Sequence, residues 1–158
     1  MKFTTLLLIL TPILVYSQEN YEYSNSELFK GKGVVFTKKY KPPIKLPEGA
    51  EVFTPSKEDI IAAEKILFQR FNSDVAWTEK KKNVKRKYWK YNRQYLGFVD
   101  SSGERHILIN LLNFKCKKKA AKKFEGWEKT FFIGFGEYYE KNSIRLLANL
   151  TTQRLSLF

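Results

Sequence analysis

The strongest constraint on the fold lies between residues 87 and 114, where two segments rich in aromatic and branched aliphatic residues flank a short polar stretch. That stretch, Asp100 to Gly103, has the residue order of a type I turn followed by a left-handed glycine. The pattern predicts an antiparallel hairpin with strands over Lys87 to Val99 and Glu104 to Phe114. Alternation in the second strand places Ile107, Ile109 and Leu111 on one face and His106, Leu108, Asn110 and Leu112 on the other.

A helix is predicted before the hairpin, from Thr54 to about Phe71. Thr54 suits the N-cap and Pro55 the first helical position, while Glu58 and Asp59 suit the positive end of the helix dipole. An apolar face at helical spacing indicates that this helix lies on a sheet. The predicted face comprises Ile60, Ile61, Ala63, Leu67, Phe68 and Phe71.

Glu64 projects into the middle of this apolar face, where a carboxylate without a partner is costly. Arg93 shares a face of the first hairpin strand with Tyr91 and Tyr95. If that face turns toward the helix, Glu64 and Arg93 form a buried pair. The alternative is that Glu64 lies at a solvated edge of a wide face.

The other elements define the expected fold class. Residues 18–53 are rich in Tyr, Lys and Pro and are interpreted as an extended arm with at most one strand, Gly33 to Thr37. Further strands are predicted at 127–135, 138–150 and 153–158. One helix before four to five strands predicts an α+β domain over residues 54–158, with the N-terminal helix packed on a curled antiparallel sheet.

The first 17 residues have the pattern of a cleavable signal peptide. Lys2 is followed by an apolar stretch from Phe3 to Tyr16, and Val15 and Ser17 are small enough for the cleavage pockets. The stretch has roughly 14 residues, whereas a spanning helix needs about 20. The sequence therefore predicts export through the secretory pathway to the periplasm or the extracellular space. The mature protein would carry no transmembrane anchor.

The chain is strongly basic, with 29 Lys and Arg against 16 Asp and Glu and a formal net charge of +13. Net charge alone concerns solubility and nonspecific attraction, but the positions of these cations are more informative. Two lysine-rich stretches flank the predicted hairpin, whose geometry brings its two ends together at one lysine-rich pole. Tyr88 and Trp89 are predicted at the margin of this pole, where aromatic rings stack on sugars or bases. The predicted polyanion-binding residues are Lys80, Lys81, Lys82, Lys85, Arg86, Lys87, Lys115, Lys117, Lys118, Lys119, Lys122 and Lys123.

Enzyme chemistry is disfavoured by the residues available. His106 is the only histidine and Cys116 the only cysteine. Ten residues of extended strand would separate them by about 33 Å, so they cannot share a proton. We expect His106 to be a strand residue near the turn and Cys116 a partly buried small residue. No catalytic residue, cofactor or metal site is predicted.

Several runs resemble a group of short secreted bacteroidete-type bacterial proteins whose motifs carry no known activity. The resemblance covers most of residues 54–155 and includes Asp59 to Glu64, Tyr91 to Phe98, Trp127 and Asn149 to Thr152. The order of elements also resembles the cystatin-like architecture. Gln94 to Phe98 departs from the cystatin inhibitor motif Gln-x-Val-x-Gly in the position of its glycine, which argues against cysteine-protease inhibition.

Two functional hypotheses follow. The first is a secreted, non-enzymatic binding module that engages an extracytoplasmic polyanion, such as an acidic glycan, lipopolysaccharide or nucleic acid, through the lysine-rich pole. The second is a protein-interaction or inhibitor module that uses the sheet face or the Pro-rich arm. The distribution of charge favours the first.

Overall fold

The computed structural model describes residues 20–70 and 88–158, which form an α+β fold with one open, mixed sheet. The signal-peptide prediction lies outside these residues. The sheet contains strands β1 (Tyr21–Ser24), β2 (Gly33–Phe36), β3 (Glu51–Phe53), β4 (Asn92–Val99), β5 (Arg105–Leu112), β6 (Ser143–Asn149) and β7 (Arg154–Leu157). The α-helices of the described residues are α1 (Lys57–Arg70), α2 (Lys117–Lys123) and α3 (Glu137–Asn142), and a short 3-10 turn (Tyr88–Lys90) precedes β4.

The predicted hairpin is confirmed as the centre of the sheet. Strands β4 and β5 pair antiparallel from Asn92 opposite Leu112 to Val99 opposite Arg105. Gly103 closes the turn at φ 83°, a left-handed conformation that favours glycine. The two faces of β5 divide as predicted, with Ile107, Ile109 and Leu111 in one core layer and Leu108 and Leu112 in the other.

The expectation that residues 18–53 contain at most one strand was wrong, because this segment supplies β1, β2 and β3 to the sheet. Strand β2 pairs parallel with the first half of β4, and β3 pairs antiparallel with its second half. The sheet is therefore mixed and has seven strands, rather than being antiparallel with four to five. Val34, Val35 and Phe36 are all buried. A four-residue strand covered on both faces gives no alternating pattern that sequence analysis can detect.

The first helix is confirmed, but it begins two residues later than its predicted start. Ser56 and Asp59 hydrogen-bond reciprocally, each backbone N–H to the other's side chain, as in a capping box. Thr54, the predicted N-cap, instead accepts a hydrogen bond from the backbone of Lys38. Phe68 is 49% exposed, contrary to its predicted place on the apolar face.

The chain after β5 differs most from the predicted run of strands. The second lysine-rich stretch forms α2, and α3 occupies the start of the strand predicted at 138–150. No strand is present at 127–135, where the chain is irregular but buries Trp127 and Phe131. With Phe124, these aromatic residues recur at intervals of three and four rather than two, so they anchor a covering segment and not a strand.

The sheet thus separates two apolar layers. Helix α1 packs on one face, where Ile60, Ala63 and Leu67 are buried with alternate residues of β4 and β5. The opposite face is covered by α2 and the segment that follows it, through Phe124, Trp127 and Phe131. No helix within residues 20–70 and 88–158 has the length and apolar character needed to cross a lipid bilayer.

Candidate anion-binding cleft

Helix α2 presents lysines over most of its surface. Only Ala120 is buried within the helix, and Phe124, directly after it, is buried on the same side. This narrow stripe fixes the helix to the sheet and leaves the other directions to solvent. Five lysines of the predicted pole lie on α2 and are exposed, and Lys115 is exposed just before it. The exposed lysines of α2 are Lys117, Lys118, Lys119, Lys122 and Lys123.

One side of α2 borders a cleft of about 640 Å³, which we call the lysine cleft. Helix α3 forms the facing wall, and the chain after β5 closes one end. The helical spacing of Cys116, Lys119 and Lys123 places these residues on the side that faces α3. The cleft is lined by the cations Lys115, Lys119 and Lys141 and by Asn113, Cys116, Glu137, Tyr138 and Asn142.

Two asparagines join the walls of the cleft. The backbone N–H of Asn113 donates to the carbonyl of Asn142 over 2.8 Å, and the two side-chain amides bond over 3.0 Å. The side chain of Asn142 also donates to the Tyr138 carbonyl, while that of Asn113 accepts from the backbone N–H of Lys115. These bonds fix the end of β5 against α3.

Tyr138 forms an aromatic wall between lysines. The Lys119 and Lys123 ammonium groups lie 5.3 and 5.8 Å from the centre of its ring, within the range of cation–π attraction. Burial, reinforced by Cys116 and Tyr139, raises the pKa of Tyr138 above its ordinary value. Its phenol is therefore protonated at neutral pH and able to donate a hydrogen bond.

Glu137 introduces a negative charge on the α3 side of the cleft. It forms an ion pair with Lys141, one helical turn away. The hydrogen bond from Lys141 lowers the pKa of Glu137, which therefore remains ionised. Because Lys141 is paired in this way, the cleft has an unequal distribution of charge, with Lys115 and Lys119 on one side and a neutralised pair on the other.

The first lysine-rich stretch of the predicted pole precedes the 3-10 turn in the chain. Lys80, Lys81, Lys82, Lys85, Arg86 and Lys87 lie outside the described residues, so the convergence of the two lysine stretches stays a prediction. Tyr88 begins the 3-10 turn before β4. Trp89 is half-buried and packs against the α1-side core, and its place at the margin of the pole stays a prediction.

The structure brings Glu64 and Arg93 together beneath α1. Both are buried, at 2% and 0% exposure, and Arg93 Nε lies 3.4 Å from Glu64 Oε1. The Tyr95 hydroxyl joins them, accepting from Arg93 Nε over 2.6 Å and donating to Glu64. The Ser26 hydroxyl donates to the second carboxylate oxygen, and the Phe29 ring stacks on the guanidinium at 4.7 Å. This arrangement is a buried structural network.

A buried amide pair on the opposite face was not found by sequence reasoning. The Gln94 side chain donates to the carbonyls of Trp127 and Thr130 and accepts from the N–H of Phe132. Asn110 donates to both Gln94 and the Phe132 carbonyl. Gln94 and Asn110 form a buried residue pair across β4 and β5. The available signal was that each of these polar residues shares its strand face with at least one leucine.

His106 lies at the hairpin turn, away from the lysine cleft. Its Nε2 is 2.7 Å from Asp100 Oδ2. One carboxylate oxygen each of Asp100 and Glu104 and one ring nitrogen of His106, atoms of the kind that bind metal ions, all lie within 4.8 Å of one another. The hydroxyl of Ser102 and the imidazole of His106 hold the pKa of Asp100 below its usual range. The Asp100 side chain also accepts hydrogen bonds from the backbone N–H groups of Ser102 and Glu104. These contacts support the turn.

Cys116 differs from its expected environment, because it is exposed rather than partly buried. It precedes α2 and lines the lysine cleft, at the end of β5 opposite to His106. The two residues therefore belong to different parts of the molecule.

Comparisons with known protein families, curated proteins and solved structures find no match for this chain.

Proposed function

We propose that the protein is an exported, non-enzymatic binding module that engages a polyanion through the lysines of α2 and the adjoining cleft. The observation that carries this proposal is the exposure of six lysines, Lys115 and the five of α2, around a helix attached by only one narrow apolar stripe. A short helix with this composition gains little stability from its own sequence. Its lysines repel one another, and this repulsion is relieved when an anionic ligand binds.

Nearby carboxylates do little to neutralise this surface. Glu137 is paired with Lys141, and none of the ion pairs among the described residues involves a lysine of α2. Lysine ammonium groups suit phosphate and sulfate as point charges. The proposed partners are therefore acidic glycans, lipopolysaccharide phosphates or nucleic acid.

The inhibitor hypothesis gains less support from the geometry. Gln94 to Phe98, the run compared with the cystatin inhibitor motif, lies in the central strand β4 and is buried throughout. A protease inhibitor requires an exposed loop at that motif. We retain the cystatin-like layout, a helix across a curved sheet, as a proposal about architecture only. The relationship to secreted bacteroidete-type proteins is retained as a separate proposal about origin.

Substitution of Lys117, Lys118 and Lys119 together by Gln is expected to weaken binding to an anionic matrix such as heparin. Binding through several lysines releases counterions, so affinity falls steeply with salt, and removing three cations reduces that slope. The measurement is the salt concentration that elutes each protein. The matched control changes Lys38, Lys39 and Lys41, which are exposed on the loop after β2. The proposal would be refuted if the wild-type protein and the triple α2 variant, both folded, elute at the same salt concentration.

Export is part of the proposal and has its own test. The chain is expected to lose residues 1–17, so that the mature protein begins at Gln18, because Val15 and Ser17 satisfy the requirement of signal peptidase for small residues. Intact-mass measurement on protein recovered from outside the cytoplasm would show this loss and the mass change of a cyclised glutamine. Recovery of the full-length mass from membranes would contradict it.

A further inference from the structure

We propose that the lysine cleft binds a phosphorylated sugar, as the terminal unit of the polyanion or as a free sugar phosphate. This inference rests on the proposed function and specifies the ligand at one part of the same surface. It is carried by the unequal lining of the cleft, with two cations on one side and an ionised pair on the other.

The cationic side suits a compact dianion. Lys115 and Lys119 line the cleft, and neither forms an ion pair with any residue that the structure describes. Among residues 20–70 and 88–158, no arginine lines the cleft. Arginine forks favour planar, bidentate recognition of carboxylates, whereas lysine binds phosphate as a point charge. Two ammonium groups match the charge of a phosphate monoester at neutral pH.

The opposite side of the cleft suits the hydroxyl groups of a sugar ring rather than a second anionic group. Lys141 offsets the charge of the ionised Glu137, so this side does not attract a second anionic group, while the carboxylate accepts hydrogen bonds from sugar hydroxyls. The protonated phenol of Tyr138 supplies a donor beside it. A volume of about 640 Å³ accommodates a ligand of one or a few sugar units. It cannot hold a long polymer, which must continue across the lysines of α2.

Cys116 provides a reporter inside the cleft. It is the sole cysteine of the chain, it is exposed, and it lines the cleft beside Lys115 and Lys119. A bound ligand will therefore shield its thiol. The experiment measures the rate at which iodoacetamide, a neutral reagent, alkylates Cys116 in the presence of glucose 6-phosphate, glucose or inorganic phosphate. The increase in intact mass reports the extent of alkylation.

Glucose 6-phosphate is expected to slow alkylation, inorganic phosphate to slow it less at equal concentration, and glucose to leave it unchanged. Substituting Lys115 and Lys119 by Gln should weaken protection about tenfold or more, because two charge-assisted contacts are lost. The matched control, Lys38→Gln with Lys39→Gln, removes the same charge from the exposed loop after β2 and should keep the protection. Glu137→Ala should reduce the preference for the sugar phosphate over inorganic phosphate, because it removes the hydroxyl acceptor and frees Lys141.

The outcomes separate this inference from the proposed function. If heparin retention requires α2 but glucose 6-phosphate does not protect Cys116, the cleft is not a sugar-phosphate site and the general polyanion proposal stands. Equal protection by inorganic phosphate and glucose 6-phosphate would also overturn the inference, because the cleft would then respond to charge alone. A phosphorylated oligosaccharide that protects better than glucose 6-phosphate would identify a polymer terminus as the source of the ligand.

Discussion

Replacing Glu64 by alanine is expected to lower the free energy of unfolding by about 3–5 kcal/mol, the range for breaking one side of a buried ion pair. The substitution leaves Arg93 at 0% exposure without its counter-charge. Nη1 and Nη2 of Arg93 have no hydrogen-bond partner among the described residues, so Glu64 and Tyr95 provide its main compensation. Tyr95 also loses the acceptor of its hydroxyl, whose pKa burial raises well above the ordinary value.

Urea denaturation of the folded protein measures this loss. Glu58→Ala, which removes an exposed carboxylate on the same helix, is the matched control and should lower the free energy of unfolding by no more than about 1 kcal/mol, the range for a charge at a helix end. Glu64→Leu combined with Arg93→Met should recover part of the loss, because replacing both members of a buried pair by apolar groups removes the uncompensated charge. A near-zero effect of Glu64→Ala would mean that Glu64 is solvated.

The juxtaposition of Glu64 and Arg93 could be predicted because two local periodicities determine it. Helical spacing placed Glu64 on the apolar face of α1, and strand parity placed Arg93 on the same face of β4 as Tyr91 and Tyr95. The prediction was conditional on this face turning toward the helix, which the structure shows. The hairpin was predictable for the same reason, since its turn residues and its alternation agree. In both cases the pattern that supports the prediction is local, a periodicity within one element or a turn between neighbouring elements.

The lysine cleft and the mixed sheet could not be predicted in this way. Strand β2 pairs with β4 about 60 residues later in the chain, with Gly33 opposite Arg93, and four apolar residues do not specify a partner or a direction. Helix α2 is polar on most sides and has one buried residue, so it lacks the apolar face that identifies a helix. The cleft depends on Asn113 meeting Asn142, a contact between distant elements that no local pattern encodes.

Structural support for α2 passes through Gln94, on the face of β4 opposite to Arg93. Gln94 bonds to three backbone groups of the segment 127–132, which follows α2 and covers the sheet beside Phe124. Asn110 adds one further bond to this segment, to the Phe132 carbonyl, and donates a second to Gln94 itself. The backbone of an irregular segment has no ladder partners of its own, so these side chains substitute for them. The position of the lysines thus depends on a buried amide pair.

Gln94→Ala is therefore expected to lower the free energy of unfolding by about 3 kcal/mol or more, because each buried group left without its partner costs about 1–3 kcal/mol. Asn25→Ala, which removes an exposed amide, should change it little. Hydrogen exchange adds a local measurement: the Phe132 amide, which donates to Gln94 over 2.8 Å, should exchange faster in Gln94→Ala even under conditions where Tyr95 on the same strand stays protected. Glu64→Ala, which acts on the opposite face, should not produce this local difference. Wild-type protection of Phe132 in Gln94→Ala would show that the segment behind α2 is held by its aromatic residues alone.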